Sequence, residues 1–226
     1  MIEVIPAIIA QNFQELEEKI RKVESYVDGV QLDIMDGKFV DNYTWPYAKP
    51  GKNNPAELRN LKTKLNLEIH LMVEKPEEAI EDWINSGVKK VIFHFESSRK
   101  IREIIRKLRS AGIMAGLAIN PETPIEILDE YVSDLDEVLI MTVEPGKSGQ
   151  GLLPETLAKI QKLRQSYPNL KIGADGGVNL NTAPEIVRAG ANILTVGSAI
   201  FNSNDIGRTI KELKHHKYLK IKEKNE

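Results

Sequence analysis

Short apolar runs rich in β-branched residues alternate with amphipathic stretches along the whole 226-residue chain, and this alternation narrows the fold more than any single motif. The sequence predicts strands over Glu3–Ile8, Gly29–Met35, Asn66–Met72, Lys90–Phe95, Met114–Ile119, Glu137–Met141, Lys171–Ala174 and Ile193–Val196. It predicts helices over Phe13–Val23, Pro55–Thr63, Pro76–Asn85, Arg99–Ser110, Pro124–Val132, Pro154–Ser166, Thr182–Ala189 and Asp205–Lys214. Three helices run into a glycine before the next strand, at Ser86-Gly87, Ala111-Gly112 and Ala189-Gly190. Glycine there can take the left-handed conformation that closes a helix. Thr123-Pro124-Ile125-Glu126 reads as a capping box with proline at the first helical position, and Thr182-Ala183-Pro184-Glu185 as a second. Strand, helix and strand in this rhythm give right-handed crossovers and a parallel sheet. Such a sheet either closes or stays open, and the first turn, Ala7 to Phe13, lacks the glycines of a dinucleotide fingerprint. A count of eight favours closure, so the expected fold is a (β/α)8 TIM barrel.

No Pro/Gly/Ser-rich or charged linker interrupts the pattern, so residues 1–226 read as one domain, with 215–226 a basic tail. His215 and His216 in that tail read as solvated rather than metal-binding. The 31 basic and 33 acidic residues nearly cancel, to a formal net charge of −2. That balance offers no broad field for nucleic acid or an anionic membrane, so any anion must be held locally. There is no cysteine, which excludes disulfides, thiolate metal sites and cysteine nucleophiles. No apolar run approaches the ~20 residues of a membrane span, and the first residues carry Glu3 and no cationic leader. A cytoplasmic, soluble protein is the expectation.

Function in such a barrel sits at the carboxyl ends of the strands. Gln31, Asp33 and Met35 alternate along the second strand and share one face. His70 and Met72 share a face of the third, His94 and Glu96 end the fourth, Met141 ends the sixth, and Asp175 closes the seventh. Asp33 and Asp175 stand three places apart around an eight-membered ring, so they can face one another across the mouth. One carboxyl group on each side of a single carbon can deprotonate one face and reprotonate the other, which inverts that centre. Their protonation is then coupled, and neither has a private pKa. His70 stands between Ile69 and Leu71, where a packed interior histidine is the plainer reading; its place beside the strand of Asp33 raises a metal role. Met35, Met72 and Met141 each suit core filling, and together could form an apolar cover that keeps water from an enediolate.

Three glycine-bearing turns gather at the same rim. Pro145-Gly146-Lys147-Ser148-Gly149-Gln150-Gly151 follows the sixth strand, Asp175-Gly176-Gly177 the seventh and Gly197-Ser198 the eighth. Loops after strands seven and eight, with a short extra helix, are a recurrent phosphate seat of this fold. Backbone N–H groups can hold the anion there without a basic protein.

With these residues in place, the sequence resembles the ribulose-phosphate 3-epimerase family from about Ile5 to Phe201. The segments that carry it are LDIMDGKFVDN (32–42), EIHLMVEKPEE (68–78), LAINPETPIE (117–126), MTVEPGKSGQ (141–150), ADGGVN (174–179) and VGSAIF (196–201). The resemblance implies a phosphate-binding barrel that interconverts ribulose 5-phosphate and xylulose 5-phosphate, with Asp33 and Asp175 as acid and base at C3. It implies that His70 binds a divalent metal with them, such as zinc, iron, manganese or cobalt. Met35, Met72 and Met141 would enclose the enediolate, and Gly146, Lys147, Ser148, Gly149, Gly176, Gly177, Gly197 and Ser198 would face the phosphate. By the same analogy the expected partners are a sugar phosphate and further copies of the chain.

The chain departs from the family pattern at several of these places. Gln31 stands where the family has a metal-ligating histidine; Ala10 and Asn12 replace a serine and an aspartate of the amino-terminal segment. Lys147 and Ser148 replace phenylalanine and glycine, Asp41 replaces a proline, and Trp45-Pro46 a TFG ending. A carboxamide offers only a hard oxygen, which disfavours zinc and iron. Metal binding is therefore expected to be weakened, shifted towards magnesium or manganese, or absent. In its absence Gln31 and a protonated His70 would stabilise the enediolate. The departures leave open another ketose phosphate, or a sugar-phosphate-binding barrel without catalysis. A third alternative, a phosphate-handling lyase or synthase barrel of histidine or tryptophan biosynthesis, draws support from the carboxyl-terminal quarter alone.

Overall fold

The structure is a computed structural model that describes residues 2–48, 54–147 and 149–215. Eight parallel strands close in sequence order: β1 (Glu3–Ile8), β2 (Gly29–Met35), β3 (Asn66–Met72), β4 (Lys90–His94), β5 (Met114–Ile119), β6 (Glu137–Met141), β7 (Ile172–Asp175) and β8 (Ile193–Val196). The seam between β1 and β8 is paired from Glu3↔Ile193 to Pro6↔Val196. Around the ring lie α1 (Phe13–Val23), α2 (Pro76–Ile84), α3 (Ile101–Ser110), α4 (Glu155–Ser166), α5 (Ala183–Ala189), α6 (Ser198–Phe201) and α7 (Ile206–Lys214). Among the described residues no helix is long and apolar enough to cross a membrane.

The strands read as continuous apolar runs because both faces are covered. Their outward residues, such as Val30, Leu32 and Ile34 on β2, join the large core beneath the helices. Inward residues form separate clusters: Ile92, Ala118, Leu139 and Met141 fill the barrel, and Met35, Val40 and Met72 pack at its mouth. Helix α1 shows how the sequence sets the shell. Leu16, Ile20 and Val23 form its buried stripe. The Asn12 side chain accepts a 2.9 Å hydrogen bond from the Glu15 amide, which satisfies one orphan donor of the first turn, and Glu15 accepts one at 2.7 Å from the Gln11 amide just before the cap. Gly87, Gly112 and Gly190 adopt positive φ of 91°, 72° and 121°, as their helix-closing role requires.

Several elements differ from expectation. Pro55–Asn60 and Ile125–Glu130 are 3-10 helices rather than α-helices, and a further 3-10 turn covers Val132–Asp134. Their buried anchors, Pro55 with Leu58 and Ile125 with Leu128, lie three residues apart, a spacing that a three-residue turn puts on one line. The Thr123 capping box does not form, because the Thr123 hydroxyl donates to Glu96 instead. Thr182 likewise caps nothing with its side chain, donating to the Gly177 carbonyl at 2.8 Å. Strand β4 stops at His94, with Phe95 opening a 3-10 turn, whereas β7 runs on to Asp175. Helix α6 carries no sequence pattern long enough to expect. Residues 216–226 of the basic tail, His216 included, lie outside the described residues.

The barrel floor holds an ion triad. Lys90 Nζ lies 2.7 Å from Glu68 Oε2 and 2.6 Å from Glu137 Oε2, all three buried. Burial raises the Glu137 carboxyl to about 7, with Lys90 pulling it down and Glu68 pushing it up. Each glutamate has one buried oxygen without a partner among the described residues, so Lys90 is what keeps two carboxylates tolerable in a low-dielectric floor. Removing one partner of a buried ion pair leaves the other uncompensated. Lys90→Met is expected to cost about 3–5 kcal/mol in urea denaturation.

Candidate functional site

Strand register assembles the site. Asp33 on β2 pairs with His70 on β3, and Gln31 lies two residues below Asp33 on the same inward face. Asp175 ends β7 opposite them, beside Thr195 on β8. His70 Nδ1 is 3.4 Å from Asp33 Oδ1 and 3.4 Å from Asp175 Oδ2. The Gln31 carboxamide reaches both acids, Nε2 donating to Asp33 Oδ1 at 2.7 Å and to Asp175 Oδ2 at 2.8 Å. These contacts leave Asp33 Oδ2 and Asp175 Oδ1 unengaged among the described residues, so each acid keeps an oxygen for a ligand.

The loop after β2 holds Asp33 in place. Thr44 donates to the Asp33 carbonyl at 2.7 Å and accepts from the Met35 amide at 2.9 Å. Asn42 donates to the Gly146 carbonyl at 3.0 Å, tying this loop to the one after β6.

The electrostatics divide the two imidazoles. Burial disfavours charge on His70, but hydrogen bonds to Asp175 and Asp33 and their negative charges outweigh it, and its pKa is pushed up to about 9. Burial raises the Asp33 carboxyl above its ordinary value, and the charge of Asp175 adds to that, against hydrogen bonds from His70 and Gln31. His94 Nε2 lies 2.9 Å from His70 Nε2, the rings stacked with centroids 5.0 Å apart. Burial holds His94 low, with the His70 charge against it and Glu96 acting in the opposite direction. A charged His70 and a neutral His94 make the contact a hydrogen bond, His70 donating. His94 Nδ1 in turn faces Glu96 Oε2 at 3.3 Å, and Glu96 accepts the Asn120 amide at 2.8 Å. Burial opposes the Glu96 charge, but hydrogen bonds from His94, Thr123 and Asn120 hold its pKa below the usual carboxylate range. Sequence reasoning placed His94 and Glu96 at a strand end without a role. The signal it lacked was the register that lays His94 against His70.

One cavity of about 570 Å³ gathers the expected residues. Asp33, His70, Asp175, Met35, Met72 and Met141 line it, with Gly146, Lys147, Gly149, Gly176, Gly177, Gly197 and Ser198. Ser148 lies outside the described residues. The methionines divide: Met35 and Met72 pack with Val40 at the mouth, and Met141 packs inside the barrel. Gly176 and Gly177 have φ of 113° and 63°. A Cβ on Gly177 would stand 2.4 Å from the Leu152 backbone nitrogen, so only glycine fits this turn. Ala10, given above as the replaced serine, is buried in the core beneath the helices; Ala7, Ile9 and Gln11 face the cavity instead. The alternation of β1 decides this, since Ala7 pairs with Gln31, which points inward.

Asp33, His70 and Asp175 offer ligand atoms that all lie within 4.8 Å of one another, and these three residues could hold a metal ion. The fourth neighbour does not fit such an ion, because Gln31 turns a nitrogen without a lone pair to the three of them, 3.3 Å from His70 Nδ1.

The His70 shift has a measurable sign. Its folded pKa of about 9 exceeds its ordinary 6.5, so it contributes stability that is complete below pH ~6.5 and lost as pH rises through ~9. Nitrogen-15 NMR of the imidazoles is expected to show His70 charged and His94 neutral at pH 7.

The chain matches the profile of the ribulose-phosphate 3 epimerase family over residues 3–201. Ribulose-phosphate 3-epimerase of Schizosaccharomyces pombe is 36% identical over 216 residues, 94% of this chain and 92% of that protein. The Bacillus subtilis enzyme of the same name is 34% identical over 223 residues, 96% of this chain and 100% of that protein. Among solved structures, 3-hexulose-6-phosphate synthase superposes with a TM-score of 0.69 at 18% identity, over 93% of this chain and 97% of that one. Tryptophan synthase from Pyrococcus furiosus gives 0.69 at 16%, over 94% and 99%; at such identities the likeness is one of fold alone. The match over nearly the whole length, at more than 30% identity to several members, shows that this chain belongs to the ribulose-phosphate 3-epimerase family.

Proposed function

We propose that the protein interconverts D-ribulose 5-phosphate and D-xylulose 5-phosphate by moving a proton at C3. The observation that carries this reading is the pair of carboxylates, Asp33 and Asp175, reaching a common donor from β2 and β7 with a free oxygen on each. One acid, as carboxylate, takes the C3 proton, and the electron pair delocalises towards the C2 oxygen as an enediolate. The other, as carboxylic acid, returns a proton to the opposite face, and the configuration inverts. The pair therefore needs one proton between them, and the raised pKa of Asp33 supports that state. The charged His70 stands beside both acids and supplies positive potential where the enediolate oxygens form. The buried methionine side chains exclude water that would otherwise protonate the intermediate.

The phosphate is seated by the glycine turns after β6, β7 and β8, where Gly146, Gly149, Gly176, Gly177 and Gly197 let backbone amides approach it, with Ser198 beside them. Lys147, exposed on the rim, adds a charge. A divalent ion held by Asp33, His70 and Asp175 would polarise the C2 carbonyl. With the Gln31 amide nitrogen turned to these three residues, such an ion gains no fourth ligand and is held weakly.

The test is a coupled assay that supplies ribulose 5-phosphate and reads xylulose 5-phosphate. Asp33→Asn and Asp175→Asn are each expected to lower kcat by about 10³-fold with KM near that of the wild type. Gly177→Ala is expected to raise KM about tenfold, a loss of ~1.4 kcal/mol of binding, because its Cβ meets backbone. Wild type that binds a ketose phosphate without turning it over would overturn the reading in favour of a binding protein.

A further inference from the structure

We infer that the Gln31 carboxamide is a permanent clamp that sets the spacing of the two acids in place of a cation, with Thr195 anchoring its far end. The inference rests on the epimerase reading for the role of the acids, but not for the clamp itself. Gln31 Nε2 stands 2.7, 2.8 and 3.3 Å from Asp33 Oδ1, Asp175 Oδ2 and His70 Nδ1, in the three residues that could hold an ion. It occupies the middle of that set. Its two hydrogens are matched to two carboxylate oxygens, one on β2 and one on β7.

The two acids favour this direction of the amide. Turning Oε1 inward would remove both donors from Asp33 Oδ1 and Asp175 Oδ2, and Gln31 is fully buried, with no solvent to replace them. The outward Oε1 meets Thr195 Oγ1 at 3.5 Å, a long contact, and the Thr195 side chain is itself buried. Thr195 is the β8 register partner of Asp175, so acid and anchor sit on adjoining strands. A buried hydroxyl beside the oxygen can donate to it in the orientation that the acids favour from the other end. Gln31 is thus a positioning residue, acting on the reaction through Asp33 and Asp175.

The test uses the full-length protein and its Gln31→His, Gln31→Met and Thr195→Val variants. Each is titrated with Mn²⁺, read as loss of the free-ion electron paramagnetic resonance signal, and assayed on ribulose 5-phosphate after chelation. Wild type is expected to bind Mn²⁺ weakly and to keep its turnover through chelation within twofold. Gln31→His, which supplies a ligating nitrogen, is expected to bind one ion per chain at least 100-fold more tightly. Thr195→Val frees Oε1 to turn inward and is expected to tighten Mn²⁺ binding about tenfold. Gln31→Met is expected to lose at least tenfold in kcat with KM within twofold, because substrate binding survives and acid spacing does not. A wild type that retains a stoichiometric ion and loses turnover on chelation overturns the inference, as does Mn²⁺ affinity unchanged in both Thr195→Val and Gln31→His. If no ketose phosphate is turned over, the epimerase reading falls while the Mn²⁺ titrations still decide the clamp. If Gln31→Met fails to fold, the other two variants carry the decision.

Discussion

Closure of the sheet through the pairing of β1 with β8 makes the rest of this molecule possible. Asp33 and Asp175 are 142 positions apart in the chain, on strands that never pair. In an open sheet they would lie on distant parts of one face. Bending the sheet into a ring turns their shared inward direction into opposition across a narrow interior, with β1 and β8 completing the wall between them. The same closure removes sheet edges, so the strands carry long apolar runs without exposing unpaired backbone.

Charge is then handled in two layers. At the floor, Glu68, Lys90 and Glu137 form a compact unit in which one cation faces two anions. At the mouth, Asp33 and Asp175 face a charged His70 and the two N–H bonds of Gln31. Both layers set two carboxyl groups against one cation in a place where isolated charge is costly. The floor spends that arrangement on structure alone, since its groups are enclosed. The mouth leaves one oxygen of each acid open to a cavity, which is what a proton-transfer site needs. His94 and Glu96 extend the mouth network outward and fix the ring of His70 from behind.

Much of this was legible in the residues. Apolar runs, with glycine after three of the helices, placed the strands to within a residue or two, because burial on both faces leaves an unmistakable composition. The short pieces were less legible: Ile125 and Leu128 fit either helix type at that length, and the four residues of α6 carry no period. Asp33, His70 and Asp175 stood out because charged groups at inward strand positions are rare. The floor triad did not, since Lys90 and Glu137 begin their strands, where charged residues are ordinarily solvated. Ala10 lies in the core because β1's alternation points Ala7 into the cavity instead. Gln31 was visible as a departure, but not the direction of its amide, which depends on two acids from two strands and a hydroxyl from a third.

The central claim is that a proton leaves one face of a carbon and another arrives on the opposite face. Running the reaction in deuterium oxide and reading the product by NMR tests that directly. The account predicts solvent deuterium at C3 of xylulose 5-phosphate and none at C1. Product that keeps its original hydrogen at C3 would contradict it.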